Sequence, residues 1–106
     1  MGNISETTVR EFLKEKHVES SYVGYKYLLR AIMIVLSNDE LLEQRKIETV
    51  YVLVAHDFLQ PPSRVERSIR ATLRQSHCKL TSGRFIFHAA DTLLATYRQV
   101  TSHDDI

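Results

Sequence analysis

Pro61-Pro62-Ser63-Arg64-Val65-Glu66-Arg67-Ser68-Ile69-Arg70-Ala71-Thr72-Leu73-Arg74-Gln75 carries two patterns at once. At about 100° per residue, Val65, Ile69 and Leu73 fall on one stripe. Ser63, Arg67, Arg70 and Arg74 fall together on a different side, and Arg64 and Ser68 flank the stripe. The spacing predicts a helix over about 62–76 that buries one side and offers guanidinium groups on another. Prolines suit a first helical turn, where the N–H groups lack intrahelical partners. Ser63 followed by Glu66 fits the capping-box spacing S-x-x-E, which makes Ser63 a candidate cap.

Immediately upstream, Ile47 to Leu59 (IETVYVLVAHDFL) is ambiguous. Val50 to Val54 has strand composition, yet Val50, Leu53, Val54, Asp57 and Phe58 also fit one helix face. No hairpin signal or second strand lies nearby, and a lone strand cannot satisfy its backbone. Helix is therefore the expectation. Two helices joined by so short a connection, the second basic, outline a helix-turn-helix over about 47–76.

Outward from this unit the chain reads as helices. Thr7 to Lys16 places Val9, Phe12, Leu13 and Lys16 on one face, with Ser5 as a plausible cap. His17 to Gly24 breaks the period. Tyr25 to Ser37 is apolar almost all round after Ala31, which predicts a central helix. Asn38-Asp39 ends it or caps the short helix Glu40 to Arg45. After His77-Cys78-Lys79-Leu80, Arg84 to Gln99 forms a closing helix with Ile86, Ala89, Ala90, Leu93, Leu94 and Tyr97 on its core face. Residues 100–106 are polar and expected to be mobile. The fold class is thus all-α: one domain over residues 1–106, a compact bundle of about five to six helices.

Composition narrows the function. The 106 residues carry a net charge of +1, so whole-molecule charge says nothing about nucleic acid. Its distribution does. Residues 1–60 hold seven Lys/Arg against nine Asp/Glu, whereas residues 61–98 hold seven against two. A local basic patch binds phosphate even on a near-neutral protein. The lone Cys78 cannot form an internal disulfide, and neither a signal peptide nor a membrane-spanning run is visible. A cytoplasmic location is the expectation. The five histidines and one cysteine show no ligand spacing, so no metal or cofactor is expected. No glycine-rich phosphate loop exists, and Ser63 has no visible base, so the chain does not read as an enzyme.

The candidate DNA-binding residues are Ser63, Arg64, Glu66, Arg67, Arg70 and Arg74. An arginine fork donates two parallel bonds to a phosphate or a guanine edge, and Glu66 could accept from cytosine N4. Taken alone, the helix could equally carry a solvated arginine face. The tyrosines Tyr22, Tyr25, Tyr27 and Tyr51 sit in or beside apolar helices and read as packing, not as stacking platforms for single strands.

These residues resemble a family. SRVERSIR at 63–70 looks like the recognition-helix signature of the C-terminal DNA-binding domain of the sporulation master response regulator. GYKYLLRAI at 24–32 resembles a second stretch of that family, and Asn38-Asp39, Tyr51, Ala55, Phe58, Phe85-Ile86 and Ala90-Asp91 follow in matching places. The resemblance covers most of residues 10–98. It implies an all-α domain whose helix-turn-helix reads the major groove of a short box, binding as a tandem dimer. It also implies that Arg64, Glu66, Arg67 and Arg70 contact bases or phosphates. Three departures stand out. No receiver domain precedes this one. The segment before the last helix is shorter than in the family, where it is associated with contacting the sigma factor, which puts that contact in doubt. The family's histidine after the matching arginine is Ala71 here.

Two functions follow as expectations. One is sequence-specific binding of double-stranded DNA by a transcription regulator, with a possible homodimer on DNA and no membrane partner. The other is a protein-interaction module that kept the scaffold and docks an acidic partner.

Overall fold

The computed structural model describes residues 4–104, with side chains through Arg98. Among them are six helices and no strand: α1 Glu6–Glu15, α2 Tyr25–Leu36, α3 Asp39–Gln44, α4 Ile47–Phe58, α5 Pro62–Gln75 and α6 Ser82–Asp104. All six contribute to one apolar core.

The caps explain most boundaries. The Ser5 hydroxyl accepts from the Thr8 N–H at 3.2 Å, which starts α1. The Asn38 carboxamide oxygen accepts from Leu41 N–H at 3.2 Å and starts α3. Each satisfies an N–H that the first turn leaves without a partner. Four exits use a left-handed residue: His17, Arg45, Leu59 and His77 have φ between 53° and 64°.

Helix α2 is central, packing against each of the other five. Leu28, Ala31 and Ile32 are fully buried on it. Its start is held close to α5. The Gly24 N–H donates to the buried Thr72 Oγ1 at 2.7 Å. A Cβ at Gly24 would lie 2.2 Å from the Ser68 carbonyl oxygen, so only glycine permits this approach.

Several expectations need correction. Lys16 leaves the apolar face of α1 and lies exposed, its ammonium 5.5 Å from the Phe12 ring centre. Helix α4 buries Val50, Tyr51, Val54 and Ala55. The expected face is rotated: Leu53 is 39% exposed and Asp57 turns outward to Arg30 at 3.6 Å. Packing on α5 pulls the Tyr51 side inward, which helical periodicity alone could not choose. The capping box is also absent. Pro61 is the N-cap of α5 and no side chain caps it, so Ser63 already lies inside the first turn. Helix α6 starts at Ser82 and runs to Asp104, past the expected end at Gln99. The segment expected to be mobile therefore begins as helix, and residues 105–106 lie outside the described residues. Tyr97, expected in the core, is 37% exposed.

Candidate nucleic-acid interface

Helices α4 and α5 pack together across a three-residue connection, Leu59-Gln60-Pro61. Val65, Ile69 and Leu73 are 2% exposed or less and seat α5 in the core. Thr72 joins them with no exposure, because its hydroxyl is spent on Gly24. The opposite side of α5 is left to solvent. Ser63, Arg64, Arg67, Arg70 and Arg74 are all exposed. The structure thus brings five of the six sequence-derived candidates onto one open side of one helix.

The sixth, Glu66, sits at the edge of that side, half-buried. Its carboxylate accepts from Arg70 at 2.9 Å, an i,i+4 pair. The pairing gives Glu66 a partner other than the backbone N–H that a capping box requires. It also divides the arginines: Arg70 is held by a side chain of its own helix, whereas no such bond is shown for Arg64, Arg67 or Arg74.

Beside the pair lies an open groove of about 670 Å³. Its walls are the start of α4, the second half of α5 and the segment entering α6. Tyr51, Glu66, Arg70, Arg74, Cys78 and Ser82 line it. Tyr51 is 8% exposed. Burial pushes its phenol pKa upward, a hydrogen bond with Ser82 opposes this, and the charges of Glu66 and Glu48 add to the rise. Sequence reasoning placed Tyr51 in packing and did not find its link to Ser82. Nothing in a sequence separation of 31 residues announces it.

Between α5 and α6 only residues 76–81 intervene, with no helix among them. Thr81 caps α6, its hydroxyl accepting from Arg84 N–H at 3.3 Å. His56, His77 and His88 are exposed and scattered. Among the described residues no three His, Cys, Asp or Glu side chains gather as metal ligands. No helix among them is long and apolar enough to cross a membrane.

Residues 9–89 match the family described as Sporulation initiation factor Spo0A C terminal. The chain belongs to this family. The Spo0A C-terminal family is a DNA-binding domain of a sporulation regulator, so DNA binding and transcription regulation belong to this chain at family level. The matched span contains the whole α4–α5 pair, the groove and the arginine face. It stops one residue short of the Ala90-Asp91 pair that also resembled the family. No solved structure matches the chain.

Proposed function

We propose that the chain binds double-stranded DNA sequence-specifically, with α4 and α5 acting as a helix-turn-helix and α5 as the recognition helix in the major groove. The observation that carries this reading is the division of α5. One stripe is buried to the last side chain, and the opposite side presents four arginines with nothing packed over them. A recognition helix needs that arrangement: an apolar back to fix its position and donors in front to reach base edges. Arg67 and Arg70 point from the middle of the face and are assigned to base edges. Arg64 and Arg74, nearer its ends, are assigned to phosphates, with Ser63 in the first turn beside them.

Quantitative binding to duplexes selected from a random pool tests the reading and yields the box. Arg67→Ala and Arg70→Ala should each weaken the selected duplex by about 1–3 kcal/mol. Affinity should fall steeply with salt as counterions are released. Unchanged binding in the double variant would sink the assignment. A homodimer on DNA is part of the proposal and would appear as paired half-sites in the selected sequences.

A second reading is a protein-interaction module with an acidic partner. The exposed Val52 and Leu59 on the outer side of α4, 54% and 87% accessible, favour it. Failure to retain any duplex at micromolar protein and modest salt would select this reading instead.

A further inference from the structure

Arg70 differs from the other arginines of α5 in having a built support. Its guanidinium is bonded to Glu66 at 2.9 Å. Glu66 in turn lies on the groove wall beside Tyr51, a buried ring from α4, and Ser82, the first residue of α6 and itself only 8% exposed. Thr81 caps that same helix start. Three helices therefore meet behind one arginine. On bare helix an arginine side chain loses about 2 kcal/mol of rotamer entropy when it is fixed on a ligand. A side chain held beforehand has already lost part of that freedom, and preorganised donors discriminate better than mobile ones.

From this geometry we infer that Tyr51 is a positioning residue for DNA recognition. It joins the start of α6 to the back of the Glu66–Arg70 pair and fixes the direction in which Arg70 reaches a base. It touches no DNA itself. The inference rests on the DNA-reading role proposed above for Arg70. Its distinguishing consequence is that Tyr51 governs choice between sequences more than grip on the phosphate backbone.

Two measurements test this with the full chain. The first uses free protein: ¹⁵Nε relaxation of the α5 arginines, compared between wild type, Tyr51→Phe and Glu66→Gln. Arg70 should be more ordered than Arg67 and Arg74 in the wild type and should fall to their level in both variants. The second measures Kd for a selected duplex and for a scrambled one over a salt series. Tyr51→Phe should lower the ratio of the two affinities by about threefold to tenfold, the size of one lost hydrogen bond. The scrambled duplex and the salt slope should not change. An Arg70 as mobile as its neighbours in the wild type overturns the inference, as does a Tyr51→Phe variant with an unchanged ratio. Equal weakening of both duplexes also overturns it, because that marks a general structural role. If Arg70 is ordered but the wild type selects no duplex, the DNA-reading role itself has failed, and the inference falls with it.

Discussion

At the scale of single residues, the Gly24–Thr72 contact is the most exacting feature. It locks α2 to the back of the recognition helix through one backbone N–H and one hydroxyl, both removed from water. Thr72→Val keeps the volume but leaves the Gly24 N–H without an acceptor, which should cost about 1–3 kcal/mol. Gly24→Ala should cost more than the Thr72 change, since the added methyl meets backbone at 2.2 Å and not the end of a flexible chain. Urea unfolding midpoints at constant slope would rank the two variants. Tyr51 makes a second prediction at this scale. Burial raises its phenol pKa above the usual 10.0 in the fold. The folded state thus holds this proton more tightly than the unfolded chain does. The resulting stability is fully present below the unfolded phenol value and is lost as pH rises through the folded one. Tyr51→Phe should remove that part of the alkaline loss, so wild type and variant should converge above pH 10 in thermal melts across an alkaline series.

At the scale of elements, α5 is governed by its two ends and its stripe. The Pro61-Pro62 pair decides the start. The extended Pro61 is the cap, its carbonyl accepting from Arg64 N–H at 3.0 Å. The exit from α4 is less comfortable. Leu59 takes φ 55° with its side chain 87% exposed, a conformation that glycine adopts without a Cβ penalty. Leu59→Gly should relieve that penalty, part of which the greater freedom of unfolded glycine offsets. The expected net gain is on the order of 0.5 kcal/mol, read as a small rise in Tm. If Leu59 also docks a protein partner, the same change should weaken that partner and leave duplex binding intact. The stripe tolerates no such change. Ile69→Ala should cost roughly 2–5 kcal/mol through the cavity it leaves. DNA binding should be lost together with the fold, unlike Arg67→Ala, which should keep the melting curve.

At the scale of the whole molecule, charge is partitioned more than it is accumulated. The side carrying α5 is basic and the first 60 residues are net acidic, so the protein has a face and a back in electrostatic terms. That partition predicts binding with a pronounced salt slope despite a net charge of only +1. Replacing Arg64 or Arg74, each assigned to a phosphate, should reduce that slope by about one and weaken all sequences alike. The three surface ion pairs Arg10–Glu6, Arg30–Asp57 and Arg45–Asp91 lie away from this face and are about half exposed. Each should contribute at most about 1 kcal/mol.

Much of this architecture was legible in the residues themselves. The 3.6-residue periodicity marked six helices, Ser5 and Asn38 announced their own caps, and Val65, Ile69 and Leu73 identified the buried stripe that leaves Arg67, Arg70 and Arg74 outside. These are local signals, set by neighbours within a turn or two along the chain. What periodicity could not decide was which of several apolar faces turns inward when a helix has more than one. Helix α4 offered Leu53 and Asp57 as readily as Tyr51 and Ala55, and only contact with α5 and the start of α6 chose between them. The role of Glu66 was settled likewise, because two prolines moved the cap ahead of Ser63 and left the carboxylate to Arg70. The sequence by itself determined the helices, the arginine face and the family. Only the tertiary structure decided that Gly24 must meet Thr72 across 48 residues, and that Tyr51 must meet Ser82 behind Arg70. Contacts so distant along the chain depend on how whole helices settle against one another, and no local pattern encodes them.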